Sequence, residues 1–181
     1  MTEPTNHDAA IRRALTADDE QALELLWDGY GTLLFGLIAS VVRSRHDAEE
    51  IMQELFVKIA RQRQRLAAAE NLRAYLCVMA RHEALSWWRR PQRREQPAAP
   101  ADFWLVPAPT EAGPQADEDA AALRHALGQL PEDQRTVVVL KHYHDFTFQE
   151  IGATMGVTLN TAASRYRYAI EKLRVILREL R

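Results

Sequence analysis

Cysteine, glycine and long apolar runs are scarce in this chain of 181 residues. The single cysteine, Cys77, cannot form an internal disulfide, and no Cys-x-x-Cys or Cys/His spacing indicates a structural zinc site. The longest apolar stretch, LLFGLIASVV, is too short to span a membrane, and the polar start MTEPTNHDAA does not resemble a signal peptide. We therefore expect a cytoplasmic protein with a buried, inert thiol, no cofactor and no metal site.

The net charge of the chain is also small, at −2. Its distribution is uneven, since residues 120–181 carry nine Lys and Arg against six Asp and Glu. A second basic cluster, RRPQRR, occupies residues 89–94. A DNA phosphate responds to charge within a Debye length of about 8–10 Å, so these local clusters indicate a nucleic-acid partner more strongly than the total does.

Proline is concentrated in one segment that separates two apolar blocks. Residues 91–119 hold six of the eight prolines and show no hydrophobic periodicity, which predicts an extended linker. The apolar stretch DFWLV at 102–106 lies inside it and predicts a docking contact, either on the chain's own domains or on a partner. We divide the chain into a first domain at 1–91, a flexible linker at 92–118 and a second domain at 119–181.

Both blocks show the three-four apolar spacing of helices. The first block is predicted to hold helices at 18–42, 47–63 and 71–90, and the second a helix at 119–129, one that starts at Pro131, and two more in TFQEIGATM and NTAASRYRYAIEKLRVILREL. Asp47 is expected to cap the second helix, with Glu50 completing a capping box. No hairpin signal or strand–helix alternation occurs, so the predicted fold class is all-α.

The last two helices show the spacing of a helix-turn-helix. Thr147 and Glu150 form a T-x-x-E capping box, and Gly152 is small where a second helix must cross. Gly156 permits the tight turn, and Val157 plugs the core between the helices. A helical hairpin without DNA binding is the alternative interpretation. If the motif binds DNA, the residues that face it are Thr158, Asn160, Thr161, Ala163, Ser164, Arg165 and Arg167, among which Asn and Arg can pair with base edges.

The two blocks together resemble the extracytoplasmic-function group of RNA polymerase sigma factors. The resemblance rests on RHDAEEIMQELFVKIARQ and NLRAYLCVMARHEALSWWRR in the first block, and on ALGQLPEDQRTVVVLKHYHDFTFQEIGATMGVTLNTAASRYRYAIEKLR in the second. It covers about residues 18–95 and 120–178, in the family's order. It implies two helical domains, a sigma region 2 bundle and a region 4 helix-turn-helix, joined by a Pro/Ala-rich linker.

The resemblance also implies a function without enzymatic activity and without catalytic residues. A sigma factor binds core RNA polymerase, directs it to promoter DNA and helps to open the duplex, with region 4 reading the minus-35 element. The residues that match the polymerase-binding surface are Asp47, Glu50, Gln53, Glu54 and Phe56. Minus-ten recognition is placed in the loop before Leu72 and along the third helix, at Arg73, Arg81, Trp87, Trp88, Arg89 and Arg90. Phe56 either binds polymerase or packs on the third helix, and the arginines either contact DNA or satisfy a helix end.

Departures from the family pattern concern the strength of DNA binding. Ala163, Tyr168 and Ile170 are uncharged where the family is often basic, which predicts weaker and less salt-dependent binding. Two other interpretations remain open, a stand-alone LuxR-like regulator and a helical adaptor that binds only proteins. Tethered domains must separate to reach two promoter elements, and a partner can clamp them together. The family's usual partner is an anti-sigma factor.

Overall fold

The computed structural model describes residues 6–17, 19–42, 44–87, 89–90 and 114–180, and no β-strand occurs among them. The helices are α1 (Asn6–Thr16), α2 (Gln21–Val41), α3 (Arg45–Arg61), α4 (Arg63–Ala67), α5 (Leu72–Trp87), α6 (Pro114–Gly128), α7 (Glu132–Tyr143), α8 (Phe148–Met155) and α9 (Leu159–Glu179). We call α1–α5 the N-terminal block and α6–α9 the C-terminal block. The all-α prediction is confirmed.

Helix α2 is the central helix of the N-terminal block. By length and composition it could cross a membrane, but 56% of its most apolar window is buried inside the protein. Leu26, Leu34 and Leu37 are fully buried, and α2 packs against α1, α3, α5 and α7. Its apolar character is therefore that of a core helix that is surrounded by other helices.

The start of α3 corrects one prediction. The N-cap is Ser44 rather than Asp47, because Ser44 has extended backbone angles and its side-chain oxygen accepts a hydrogen bond from Asp47 N at 3.2 Å. Asp47 therefore lies inside the first turn, where its acidic side chain also suits the helix dipole. The helix begins at Arg45, slightly before the predicted start.

Helix α1 was not predicted from the sequence. Its start is polar, and only Ile11 and Leu15, four residues apart, form a buried face, with exposures of 0% and 1%. Two apolar side chains are a weak periodic signal. Packing on α2 and α4 stabilises this helix, as is usual for short helices in proteins.

The C-terminal block begins earlier than predicted. Helix α6 starts at Pro114, within the segment assigned to the linker, because proline is tolerated at the first position of a helix. The apolar stretch at 102–106, for which a docking contact was predicted, lies outside the described residues.

Helix α7 joins the two blocks. Its β-branched run is helical and buried on opposite sides, since Val137 and Leu140 belong to the core cluster of the N-terminal block while Val138 and Val139 belong to a second cluster with α6 and α9. Burial on both sides explains why the run lacks clear amphipathic spacing.

The side chain of Arg135, on α7, is only 1% exposed and caps the end of α2. Its Nε donates to Ser40 O at 2.6 Å and its Nη2 to Val41 O at 3.4 Å, while Nη1 donates to Leu130 O at 3.1 Å. The last carbonyls of a helix have no partner within the helix and carry partial negative charge, which a guanidinium satisfies. The two blocks are thus held together by buried hydrogen bonds as well as by apolar packing.

Candidate nucleic-acid interface

Helices α8 and α9 form the predicted helix-turn-helix. Thr147 Oγ1 accepts from Glu150 N at 3.2 Å, and Glu150 Oε2 accepts from Thr147 N at 2.8 Å, so the capping box is confirmed. The carboxylate that accepts these bonds has its pKa lowered by the hydrogen bonds from Thr147, which outweigh the opposing effect of burial. Gly156 has φ of 67° and ψ of 35°, the left-handed conformation predicted for the turn.

The two helices approach most closely at Gly152. A Cβ added there would lie 2.8 Å from Val157 O, which is a main-chain atom and cannot move aside easily. Ala162, on the facing side of α9, is fully buried, and Val157 is partly buried against the core. Gly152 and Ala162, both small residues, therefore lie where α8, the turn and α9 pack closely.

The residues predicted to read the minus-35 element all lie on the first turns of α9 or at its cap. Thr158 caps α9 by accepting from Thr161 N at 3.1 Å. The side chains of Asn160 and Arg167 are exposed, and Thr161, Ala163 and Ser164 are partly buried. The Arg167 guanidinium lies 5.2 Å from the ring centroid of Tyr168. In a helix-turn-helix, the start of the second helix is the part that enters the major groove.

Arg165, near the start of α9, does not lie free in solvent, because an acidic side chain of the same block holds it. Its Nη2 lies 2.7 Å from Asp133 Oδ2, and its side chain is 28% exposed. Asp133 stands in the first turn of α7, next to Glu132. The arginine that was predicted to read a base and the helix that precedes the motif are therefore linked by an ion pair.

The same acidic pair holds Arg81 of α5, one of the residues predicted to contact the minus-ten element. Arg81 Nη2 lies 3.1 Å from Asp133 Oδ1 and 3.5 Å from Glu132 Oε1, with the Arg81 side chain 14% exposed. Burial raises the pKa of Glu132, and the neighbouring Asp133 adds to this, while Arg81 opposes it. We call Arg81, Glu132, Asp133 and Arg165 the acidic clasp.

Arg73, the first of the predicted minus-ten arginines, is also engaged between the blocks. Its Nη2 donates to His144 O at 2.6 Å, and its guanidinium stacks 4.0 Å from the ring centroid of Phe146. Phe146 is 1% exposed. In this arrangement Arg73 and Arg81 of α5 are both engaged by the C-terminal block.

The end of α5 carries the remaining predicted minus-ten residues. Trp87 is 4% exposed, and the Arg90 guanidinium stacks 4.3 Å from its ring centroid. Arg90 also forms a two-pronged ion pair with Glu54, at 2.9 Å and 2.5 Å, which lowers the pKa of that carboxyl group. Arg89 is exposed, and the side chain of Trp88 lies outside the described residues.

The predicted polymerase-binding residues divide into two groups on α3. Gln53 is exposed and Glu50 is partly exposed, so both face outward, and with Glu54 they line a shallow groove. Asp47 is only 6% exposed, so the structure does not place its carboxylate on that outward face. Burial there follows from the position of Asp47 inside the first turn of α3.

Phe56 is partly buried against the core of the N-terminal block. Its ring meets Trp27 of α2 edge to face, with centroids 5.4 Å apart and an interplanar angle of 61°. Trp27 is 55% exposed, an unusual exposure for so large an aromatic side chain. Sequence reasoning missed Trp27, because it stands three residues before Tyr30 and seven before Leu34, a spacing that suggests a buried position.

Comparison with known proteins identifies the family. The profile of Sigma-70 region 2 matches residues 26–95, and that of Sigma-70 region 4 matches residues 126–175. The chain is 31% identical over 164 residues to RNA polymerase sigma factor CarQ of Myxococcus xanthus, covering 89% of this chain and 92% of CarQ. It is also 31% identical over 165 residues to ECF RNA polymerase sigma factor SigE of Mycolicibacterium smegmatis, covering 87% and 64% of the two chains. The chain belongs to the extracytoplasmic-function sigma factors.

Two solved structures share the fold of this sigma factor. CnrH in complex with the cytosolic domain of CnrY has a TM-score of 0.68 at 19% identity, covering 96% of this chain and 99% of that one. The sigma factor RpoE in complex with the anti-sigma factor NepR from Bartonella quintana has a TM-score of 0.66 at 22% identity, covering 81% and 90%. Because the similarity includes the N-terminal block, the alternative of a stand-alone LuxR-like regulator is not supported.

Contacts between the two blocks of the sigma factor were also missed from the sequence. Arg135 belongs to the L-P-x-x-x-R pattern that carries part of the resemblance, but no role was assigned to it. Glu132 and Asp133 were read only as favourable charges in a first helical turn. Their contacts with arginines of other helices depend on how the blocks pack, which no local pattern encodes.

Proposed function

We propose that this sigma factor binds core RNA polymerase in the cytoplasm through the outward face of α3, reads the minus-ten element with region 2 and reads the minus-35 element with α9. The observation that carries the proposal is the match of both sigma regions, in order, to one chain that also holds a complete helix-turn-helix. We further propose that the division between region 2 and region 4 falls in the proline-rich linker and that the chain itself catalyses no reaction.

Polymerase binding is assigned to Glu50, Gln53, Glu54 and Phe56, together with Trp27. Three of them line the groove on α3, and the aromatic pair beside it exposes apolar area that a partner can cover. Aromatic side chains that become buried commonly dominate the affinity of a protein interface. The buried Asp47 is assigned a structural role at the start of α3 instead.

Promoter binding requires the two blocks to separate. Arg73 and Arg81 are engaged by the C-terminal block, and Arg165 is engaged by Asp133. Phosphates and base edges compete for the same guanidinium donors. We therefore propose that core polymerase stabilises an open form, and that an anti-sigma factor stabilises a closed one. The two solved complexes named above, whose sigma chains share this fold, support the partner assignment.

The test is run-off transcription with purified protein and core RNA polymerase on fragmented genomic DNA. We expect transcripts from a specific set of promoters when both components are present, and none from either component alone. Failure of the protein to form any complex with core polymerase would sink the proposal.

A substitution then tests minus-35 reading within the holoenzyme. Arg165→Ala should weaken binding to the cognate promoter by about 1–3 kcal/mol and should cost much less on a promoter with an altered minus-35 element. Arg174→Ala, which removes an exposed arginine farther along the same helix, is the matched control. Equal losses on both promoters would mean that Arg165 contacts phosphate instead of a base.

A further inference from the structure

The loop between α4 and α5, residues 68–71, is held by an arginine from the helix that the sequence did not predict. Arg12 of α1 donates from Nη1 to Ala67 O at 2.8 Å and to Ala69 O at 2.5 Å, and from Nη2 to Glu70 O at 3.3 Å. One guanidinium thus gathers three main-chain carbonyls from the end of α4 and the loop that follows it. These carbonyls lie more than fifty residues away from Arg12 in sequence.

The chemistry of this contact suits the role of a fixed anchor. Helix α4 has five residues, so most of its carbonyls lack a partner within the helix. A guanidinium is planar and always charged, and its donors point in fixed directions, so it can satisfy several carbonyls without moving. Each bond is strengthened by the charge of the donor.

The anchor itself is held rigidly. Ile11 and Leu15, on either side of Arg12 along α1, are buried at 0% and 1% exposure. A second arginine makes the reverse connection, because Arg63 of α4 donates from Nη1 to Asp19 O, beyond the end of α1, at 3.1 Å. Helices α1 and α4 are therefore joined by polar contacts in both directions.

The far end of the loop is fixed by a different device. Asn71 Oδ1 accepts from Ala74 N at 2.9 Å, which caps the start of α5. Arg12 thus holds the main chain between Ala67 and Glu70, and Asn71 fixes the junction with α5. Two bonds within the main chain add to these contacts, because Ala68 N donates to Gln64 O and Ala69 N donates to Leu66 O, each at 3.1 Å.

We propose that Arg12 is a positioning residue for minus-ten recognition: it holds the backbone of residues 67–70 in the shape that receives the exposed bases of the promoter. This inference rests on the proposed function, which assigns minus-ten reading to region 2, and on the family resemblance, which places it in this loop and along α5. Bases that leave the stack are recognised in pockets of defined shape, so a loop that is fixed before binding discriminates better than one that must be ordered on binding.

The test compares holoenzymes made with the wild-type protein, Arg12→Ala, Arg12→Lys and Arg13→Ala. Each is titrated with two single-stranded oligonucleotides, one with the non-template minus-ten sequence of a promoter found by run-off transcription, and one with that sequence scrambled. The ratio of the two dissociation constants measures discrimination. Arg13 is the matched control, since it is the neighbouring arginine on α1 and is exposed.

We expect Arg12→Ala to lower that ratio about tenfold, because a loop that Arg12 no longer fixes must be ordered when the specific sequence binds. Arg12→Lys should lie between this variant and the wild type, because lysine keeps the charge but not the fork of donors. Affinity for core polymerase should stay unchanged in all variants, and Arg13→Ala should keep the wild-type ratio. A purely structural role would lower thermal stability without changing the ratio.

The two possible failures are distinguishable. If the wild-type holoenzyme does not prefer the minus-ten oligonucleotide, the proposed function of the loop is wrong and the inference falls with it. If the wild type discriminates and Arg12→Ala discriminates equally well, the inference alone is wrong. Should Arg12→Ala fail to fold, Arg12→Lys decides the matter, and a ratio equal to that of the wild type would again overturn the inference.

Discussion

The acidic clasp leads to a direct prediction about the closed form. Asp133 contacts Arg81 of the N-terminal block at 3.1 Å and Arg165 of its own block at 2.7 Å. Asp133→Asn keeps the size of the side chain and removes the charge. We expect this variant to shift the protein toward the open form, because the ion pair with Arg81 crosses between the blocks.

The magnitude follows from the exposure of the groups. An exposed ion pair contributes about 0.2–1 kcal/mol, and removing one partner of a buried pair costs about 3–5 kcal/mol. The Arg81 side chain is 14% exposed and that of Asp133 is 38% exposed, so their pair lies nearer the exposed limit. Glu132 also remains near Arg81 in the variant. We therefore expect a loss of roughly 1–2 kcal/mol, which lowers the ratio of closed to open molecules about 5- to 30-fold.

The assay is energy transfer between dyes on the two blocks of the free protein. Cysteines that replace the exposed Glu24 on α2 and Glu171 on α9 carry the dyes. Cys77 can stay in place, because it is fully buried and burial raises the pKa of its thiol to about 12, which suppresses labelling at neutral pH. Asp119→Asn, an equal change of charge at an exposed position of α6, is the control.

Asp133→Asn should lower the transfer efficiency and reduce its dependence on salt, because salt screens the ion pairs that the wild type retains. Asp119→Asn should behave as the wild type does. If Asp133→Asn and the wild type gave the same efficiency at every salt concentration, the clasp would not contribute to closure and the reasoning would be refuted.

Three further predictions concern separate parts of the molecule. Phe56→Ala should weaken binding to core polymerase roughly tenfold, measured by titration, whereas Val78→Ala at another exposed apolar site should not; equal effects would contradict the assigned surface. Gly152→Ala should cost about 1–3 kcal/mol in denaturant unfolding, because its Cβ would lie 2.8 Å from a main-chain oxygen, while Ala153→Ser should cost little; a neutral Gly152→Ala would disprove the close approach. Burial lowers the pKa of His144 from 6.5 to about 4, so the unfolded chain takes up a proton that the folded protein does not. Stability should therefore fall as the pH drops from about 6.5 toward 4, and His144→Gln should remove that part of the slope in unfolding curves; an unchanged slope would exclude His144 as its source.

Local signals predicted the helix-turn-helix well. Its capping box and turn glycine act within a few residues of each other, so their spacing in the sequence determines their geometry. The cap of α3 was misplaced for a related reason, since Ser44 and Asp47 are both good caps and only the backbone shows which one is extended. Helix α1 was missed because its two buried side chains give too weak a period to detect.

The sequence could not show that the arginines predicted to contact DNA already have partners within the protein. Arg73, Arg81 and Arg165 were chosen because arginine binds phosphate and base edges. The same donors bind carboxylates and main-chain carbonyls, and which of these they meet depends on tertiary packing. A pattern that identifies a group able to bind DNA therefore does not tell whether that group is available in the free protein.

This shared chemistry links regulation to affinity. We propose that Arg81 binds DNA in the promoter complex, so each kcal/mol that stabilises the closed form must be overcome first. If only a fraction of the molecules is open, the apparent dissociation constant for DNA rises by the inverse of that fraction. We therefore expect the carboxylates of Glu132 and Asp133 to affect promoter affinity without touching DNA. A polymerase that binds the outward face of α3 and separates the blocks would offset this cost. We therefore expect the holoenzyme to bind promoter DNA more tightly than the free chain does.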